Sequence, residues 1–171
     1  MLSVRRETPW DVSLVRAINE QAFGQALEAD IADRLREHCG EVLSLVAEDK
    51  DTVVGHILFS PAVIKTPEKT VQGMGLAPMA VAEAHQRKGI GSALVRQGLA
   101  MLRASGCPFV IVLGHPDYYP RFGFQPASKY GIRCPWEGVP DEAFMIRIFD
   151  EGVMKGVSGL AEYREEFNVI P

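Results

Sequence analysis

Apolar residues recur at helical spacing in the N-terminal part of the chain. Leu27, Ile31 and Leu35 lie four residues apart, which puts them on one face of a helix predicted over 26–38. A similar apolar series predicts an earlier helix over 14–23. The chain therefore begins with two amphipathic helices that each need a partner surface.

The pattern then changes to the short apolar runs that are typical of strands. Two such runs, 43–48 and 53–60, flank a polar turn and predict an antiparallel hairpin. The run 75–81 predicts an interior strand that Pro78 should bend or bulge, because proline removes one ladder donor. The segment 62–65 is predicted to extend the second strand of the hairpin, and further strands are predicted over 2–6, 109–113, 143–149 and 157–163.

A helix that begins at Ile90 separates the strands 75–81 and 109–113. Two strands that are joined by a right-handed helical crossover run parallel to each other. We therefore predict a mixed α/β (α+β) protein of one domain, 1–171, in which 151–171 is a C-terminal extension of that domain.

Composition and charge exclude several classes of protein. The 171 residues are 47% hydrophobic and 23% charged, as expected for one soluble domain with a full core. A formal charge of −4 argues against a binder of nucleic acid or of membrane surfaces. Cys39, Cys107 and Cys134 are far apart and form no Cys-x-x-Cys pair, so we expect free thiols, no metal site and a cytoplasmic protein. No signal peptide or membrane span is predicted.

The segment Gln86-Arg87-Lys88-Gly89-Ile90-Gly91-Ser92 lies where the strand pattern becomes a helix pattern. Its glycines let the backbone approach a ligand closely, and the amides of a helix start favour phosphate. Arg87 and Lys88 add positive charge, although a solvated charged loop is the alternative. A P-loop is disfavoured because Ala84 takes its first glycine position, and a Rossmann fingerprint because Leu94 takes its third.

A second motif, Tyr119-Pro120-Arg121-Phe122-Gly123-Phe124, follows the strand 109–113. Together with Gln86-x-x-Gly89-x-Gly91, it resembles the GNAT superfamily of acyl-CoA N-acyltransferases over roughly Gly75 to Phe124. The resemblance implies a mixed, mostly antiparallel sheet of six to seven strands flanked by helices. It also implies that the central parallel strands, four and five, splay apart.

The resemblance further implies acetyl-CoA as the co-substrate. In this family the glycine loop and helix start hold the pyrophosphate of coenzyme A, and the exposed edge of strand four accepts the pantetheine arm. The implied cofactor-binding residues are Met79, Ala80, Val81, Gln86, Arg87, Lys88, Gly89, Ile90, Gly91 and Ser92.

Acetyl transfer from a thioester to an amine needs a neutral amine, a stabilised oxyanion and a proton for the leaving thiolate. The resemblance implies that Tyr119 donates this proton, and simple packing is the alternative role. A general base is harder to assign, because 73–82 contains no ionisable side chain. His115, on the segment that leads to Tyr119, is our preferred base. The other candidates are Glu48, His56, Glu83, Asp117 and a water chain.

The function predicted from these motifs is direct transfer of acetyl from acetyl-CoA to a primary amine of a small molecule or peptide. The segment 126–140, with Trp136, either forms a wall of the acceptor pocket or is an idle surface loop. The tail after Asp150 is a possible edge for a homodimer. The alternatives are a non-catalytic acyl-CoA-binding or regulatory module of the same fold, and a nucleotide-binding domain that uses the same glycines.

Overall fold

The computed structural model describes residues 1–169, and in that part of the chain it contains four α-helices and nine β-strands. The helices are α1 (Val12–Phe23), α2 (Leu27–His38), α3 (Ile90–Ala104) and α4 (Glu151–Met154). The strands are β1 (Leu2–Arg6), β2 (Leu43–Asp49), β3 (Thr52–Lys65), β4 (Thr70–Val81), β5 (Phe109–Leu113), β6 (Gln125–Pro126), β7 (Ile132–Arg133), β8 (Phe144–Ile148) and β9 (Gly159–Glu162).

The strands form a mixed sheet in the order β1-β2-β3-β4-β5-β8-β6, and β9 pairs with β3 and β7. The pairs β1–β2, β2–β3 and β5–β8 are antiparallel, whereas β4 and β5 are parallel. The predicted mixed sheet with parallel strands four and five is therefore confirmed. The count exceeds six to seven because β6 and β7 have only two residues each, too short for an alternation pattern.

Most boundaries agree with the predicted ones, and the differences have local causes. β4 begins at Thr70, five residues before the predicted start at Gly75. Pro78 lies within β4, and the Ala77–Pro78 peptide is cis. The short helix α4 is not predicted; the side chain of Asp150 caps it by accepting the Val153 N–H at 3.0 Å.

The tail strand β9 is paired along both of its edges. Val63–Lys65 of β3 pairs with it in antiparallel fashion, and Ile132–Arg133 of β7 pairs with it in parallel. A strand with neighbours on both sides offers few free backbone groups. β9 therefore does not supply the open edge that the sequence suggests for a homodimer.

The chain forms two compact units. The first unit comprises residues 1–59, 77–100 and 166–169; the second comprises 60–76 and 101–165. Each unit has its own buried apolar residues. They include Leu45, Ile57, Phe59 and Leu94 in the first unit and Phe109, Ile111, Phe124 and Met145 in the second.

Two glycines bring α3 close to β3 within the first unit. A Cβ on Gly55 would lie 3.0 Å from Ile90 Cγ2, and a Cβ on Gly98 would lie 2.3 Å from Phe59 Cε2. The side chain of Leu94 is fully buried beside them. This close packing fixes the position of the α3 N-terminus relative to the strand.

Candidate functional site

The glycine loop before α3 turns sharply in the backbone. Arg87 and Gly89 have φ angles of 63° and 81°, in the left-handed region. The Gly89 carbonyl accepts the Ala93 N–H at 3.0 Å, so the helical ladder begins there. The backbone amides of the first helical turn therefore stand at the end of the loop, as the sequence predicts for Ile90 to Ser92.

Hydrogen bonds to the rest of the first unit brace this loop. The Gln86 side-chain amide donates to the Val81 carbonyl at 3.1 Å, and the Gln21 side-chain oxygen accepts the Glu83 N–H at 3.1 Å. The Ala82 N–H donates to the Val54 carbonyl at 2.8 Å. The Gln86 side chain thus joins the loop to the end of β4.

The positive charges of the loop are exposed. Arg87, Lys88 and Gly89 are all on the surface. Within residues 1–169, neither Arg87 nor Lys88 forms an ion pair with a carboxylate. Both charges are therefore available to an anionic ligand. The Met79 and Val81 side chains are half-buried, and Ala80 is buried.

In the second unit, the parallel pairing of β4 with β5 runs from Met74 opposite Val110 to Leu76 opposite Val112. The hydroxyl of Tyr163 lies near the last of these pairs, 3.2 Å from the Leu76 carbonyl oxygen and 3.2 Å from that of Ile111. Burial raises the pKa of this phenol above its usual range, so it is a neutral donor. The sequence motifs give no signal for Tyr163.

Tyr119 begins a 3₁₀ turn, Tyr119–Phe122, shortly after β5. Its backbone N–H and that of Tyr118 point to the His115 carbonyl, at 3.4 and 3.1 Å. Gly114 leaves room for its ring, because a Cβ there would lie 2.4 Å from Tyr119 Cε2. The ring also meets Phe124 edge to face, with centroids 5.6 Å apart. The side chain is thus held in one orientation.

The Tyr119 side chain combines burial with an unpaired hydroxyl. The residue is only 7% exposed, yet its hydroxyl has no hydrogen-bond partner among the described residues. Burial, with a smaller effect from Tyr118, raises the pKa of the phenol above its ordinary value. The group therefore keeps its proton at neutral pH and can donate a hydrogen bond to a ligand.

The rest of the tyrosine motif has structural roles. Phe122 and Phe124 are buried, as aromatics in the turn are expected to be. Gly123 has a φ of 88°, and a Cβ there would lie 2.7 Å from Arg147 Nε. The Arg121 guanidinium lies 4.8 Å from the centre of the Tyr118 ring, a cation–π contact.

The candidate bases lie in different surroundings. His115, Asp117 and Glu83 are exposed. A Glu48 carboxylate oxygen accepts two hydrogen bonds from the Arg5 guanidinium, at 2.7 and 3.2 Å. His56 is fully buried, which argues against it as the base.

Both nitrogens of His56 are hydrogen-bonded in the core of the first unit. Nδ1 accepts from the Asn19 side-chain amide at 3.2 Å, and Nε2 donates to the Ser44 hydroxyl at 2.8 Å, with this tautomer assigned from the partners. Burial, and secondly the charge of Arg36, lowers the pKa of His56 to about 3. Glu7 is 3.9 Å from the ring, but it is bonded to Arg36.

This burial predicts a loss of stability in mild acid. The unfolded chain protonates His56 below its ordinary pKa of 6.5, whereas the folded chain does so only near pH 3. The free energy of unfolding should therefore fall by about 1.4 kcal/mol per pH unit from this residue as pH drops below about 6.5. Urea unfolding of wild type and His56→Gln at pH 7 and pH 5 checks this: the wild type should lose more stability than the variant, and equal losses would contradict it.

The segment 126–140 surrounds a pocket of about 430 Å³ in the second unit. The pocket is lined by Ser128, Gly131, Ile132, Arg133, Cys134, Val139, Pro140, Asp141 and Phe144. The Trp136 ring packs on Tyr163, with ring centroids 5.3 Å apart and planes 33° apart. The segment therefore has an ordered aromatic anchor.

The cysteines provide no activated nucleophile. All three are free thiols, and burial raises the pKa of both Cys107 and Cys134. Residues 1–169 contain no group of three or more His, Cys, Asp or Glu side chains that could hold a metal ion. None of the helices in that range is long and apolar enough to cross a membrane.

Each unit thus brings together part of the predicted set. The first unit assembles Met79 to Val81 with the loop from Gln86 to Ser92, and the second assembles Tyr119 with His115. The second unit also adds Tyr163.

Comparisons with known proteins agree with the family resemblance and with the fold. The family model described as an acetyltransferase (GNAT) domain matches residues 3–127. The N-acetyltransferase YhbS of Escherichia coli is 36% identical over 166 residues, which cover 96% of this chain and 98% of that protein. The N-acetyltransferase YjhQ of the same species is 41% identical over 135 residues, covering 77% and 74%.

Two solved structures are similar along almost the whole chain. The crystal structure of Escherichia coli YhbS in complex with CoA has a TM-score of 0.91 and 35% identity, and covers 99% of this chain and 93% of that one. A GNAT family acetyltransferase from Brucella melitensis in complex with acetyl-CoA has a TM-score of 0.78 and 35% identity, covering 98% of both chains. The chain belongs to the GNAT family of acetyltransferases.

Proposed function

We propose that this protein transfers acetyl from acetyl-CoA directly to a primary amine. The observation that carries the proposal is the braced glycine loop at the start of α3, with its unpaired charges on Arg87 and Lys88. Helix-start amides and two cations suit the pyrophosphate of CoA. Similarity along nearly the full chain to relatives solved with CoA and acetyl-CoA supports the same ligand. We propose one domain, 1–171, as the unit of function.

The backbone of Met79 to Val81 binds the pantetheine arm in this proposal. The β4–β5 pairs end at Leu76, so the backbone from Met79 to Val81 lies beyond them. The Val81 carbonyl already accepts the Gln86 amide, but a carbonyl oxygen has a second lone pair for a ligand. Gln86 contributes by holding the loop against the strand.

Tyr119 acts as the donor to the sulfur of the leaving CoA. Its unpaired hydroxyl and raised pKa support a group that stays protonated and stabilises the thiolate by a hydrogen bond. As the acetyl group is transferred, the amine nitrogen loses a proton and the sulfur gains one. In this step the Tyr119 hydroxyl is the proton donor to the sulfur.

His115 is the proposed base for the incoming ammonium group. It is exposed, and its own carbonyl anchors the turn that holds Tyr119. A neutral imidazole has a ring nitrogen that can accept a proton, which suits the removal of a proton from an amine. The acceptor is a small molecule or a peptide, and the pocket under 126–140 is its proposed contact surface.

A non-catalytic acyl-CoA-binding module is the second candidate. It is favoured by the absence of an ionisable side chain from 73–82. The two candidates share the cofactor and differ in acceptor-dependent turnover. Coenzyme binding tests what they share, and turnover separates them.

Replacing Gly91 should weaken CoA binding selectively. Gly91→Leu puts a side chain beside the helix-start amides, and because leucine is a better helix former than glycine, a loss of affinity cannot come from a weaker helix. We expect about a tenfold or greater rise in the Kd of CoA by calorimetry. Gln97→Leu, on the exposed face of the same helix, is the control.

The wild type should be stabilised against thermal unfolding by CoA and not by ATP or NAD. Normal CoA affinity in Gly91→Leu would show that the loop is not part of the CoA-binding site. Stabilisation by ATP or NAD equal to that by CoA would favour a nucleotide-binding domain instead.

A further inference from the structure

Tyr163 stands where the parallel ladder between β4 and β5 ends. Its hydroxyl oxygen lies 3.2 Å from the carbonyl oxygens of Leu76 on β4 and Ile111 on β5. The last pair of that ladder is Leu76 opposite Val112. A side chain from the tail of the chain therefore contacts β4 at the last pair and β5 one residue before it.

The position of this hydroxyl follows from the geometry of a parallel ladder. In a parallel ladder, every second residue of a strand bonds to the two residues that flank its partner. With Leu76 opposite Val112 and bonded to the residues on either side of it, the Leu113 N–H points toward Leu76. The neighbouring Gly114 N–H instead donates to the Ala143 carbonyl at 2.9 Å, on the β8 side. The Leu113 N–H also bonds to the Tyr163 oxygen. The Tyr163 hydroxyl thus accepts from the Leu113 N–H of β5 and donates to the Leu76 carbonyl of β4.

Glycine and tryptophan fix the ring that carries this hydroxyl. A Cβ on Gly75 would lie only 2.5 Å from Tyr163 Cε2, so the ring covers β4 at a position where no side chain fits. Trp136 packs against the ring at 5.3 Å between centroids. The residue is 8% exposed. A ring clamped in this way holds its hydroxyl in one place.

We propose that Tyr163 is a positioning residue that fixes the point at which β4 and β5 part, and so presents the β4 backbone to the pantetheine arm of CoA. The inference rests on the proposed function, because it takes the β4 backbone as the pantetheine site. It assigns Tyr163 no contact with the reacting atoms. The absence of an ionisable side chain at position 75 then has a physical reason, since the Tyr163 ring occupies that space.

A purely structural role for Tyr163 makes a different prediction. Loss of packing lowers the stability of the fold and lowers the affinity for every ligand of the folded protein to the same extent. Loss of the Tyr163 hydroxyl, which sets the point where β4 and β5 separate, weakens the binding of the pantetheine arm. The phosphate end of the ligand stays bound. CoA and adenosine 3′,5′-bisphosphate share the adenosine and its 3′-phosphate, but only CoA carries pantetheine. The ratio of their affinities therefore separates the two roles.

Tyr163→Phe keeps the ring and removes the hydroxyl. We expect the Kd of CoA to rise about tenfold, since hydrogen bonds at both strands are lost, while the Kd of adenosine 3′,5′-bisphosphate stays within about twofold. In steady-state assays the KM for acetyl-CoA should rise more than kcat falls. Tyr130→Phe, which removes an exposed hydroxyl 3.3 Å from Gln125, should change neither affinity.

Gly75→Ala provides a second variant should Tyr163→Phe fail to fold. Its new methyl group displaces the Tyr163 ring, so it should produce the same selective loss of CoA affinity. Unchanged CoA affinity in Tyr163→Phe, or an equal loss of both ligands in the folded variants, would overturn the proposal. A wild type that binds neither ligand would instead refute the proposed function itself.

Discussion

Tyr119→Phe should lower kcat about a hundredfold, the low end of the range for general acid–base groups. The change removes only the hydroxyl, and that hydroxyl has no partner within residues 1–169, so folding and CoA binding should be unaffected. Steady-state turnover with acetyl-CoA, together with calorimetric binding of CoA, measures both quantities. A fall in kcat with an unchanged Kd identifies an interaction made in the transition state.

Tyr118→Phe is the matched control for this experiment. Tyr118 is the neighbouring tyrosine, half-buried, and its ring lies under the Arg121 guanidinium. A phenylalanine ring keeps that cation–π contact, so turnover should stay near the wild-type value. If Tyr119→Phe and Tyr118→Phe have the same turnover as wild type, Tyr119 is a packing residue and the donor lies elsewhere.

Gly98→Ala should destabilise the protein although alanine is the better helix former. The new methyl group would lie 2.3 Å from the Phe59 ring, which is fully buried and cannot move aside. Overpacking of this kind costs about 1–3 kcal/mol, against about 1 kcal/mol gained in helix propensity. We expect a net loss of free energy of unfolding in urea titration, together with a lower affinity for CoA because the α3 N-terminus shifts.

Two further variants isolate the cause of this loss. Gly40→Ala adds the same methyl group at an exposed position with nothing within 4 Å, and it should leave stability nearly unchanged. Phe59→Leu combined with Gly98→Ala should cost less than the sum of the two single changes, because the smaller side chain removes the clash. Additive losses would show that Gly98 and Phe59 do not compete for the same space.

The sequence predicts well where the signal is local. The glycine loop is a short continuous segment of the chain, and so is the tyrosine motif. The strands 109–113 and 43–48 have clear apolar patterns. The hydrophobic periodicity of α2 and α3 reflects the face that each helix buries. These features are set by neighbours in the chain, so the chain alone reveals them.

The features that the sequence does not reveal depend on contacts between distant residues. Tyr163 is 87 residues from Leu76, with which its hydroxyl bonds, and 52 from Ile111. Gly75 lies in the stretch 73–82, which has no ionisable side chain, and the structure shows that a Cβ at this position would clash with the Tyr163 ring. His56 lies in a stretch of β3 that is buried on both faces. Polar and apolar residues do not alternate in such a strand, so the sequence does not show whether His56 belongs to the core or to the functional site.

Mass spectrometry of an amine panel incubated with acetyl-CoA is the direct test of acetyl transfer by this protein. The panel contains small amines, amino acids and peptides with free N-termini or lysines, and CoA thiol release is followed in parallel. We expect an acetylated product and matching thiol release with at least one amine, both reduced in Tyr119→Phe. Tight binding of acetyl-CoA without acetylation of any amine above the protein-free rate would contradict it and favour a non-catalytic acyl-CoA-binding module.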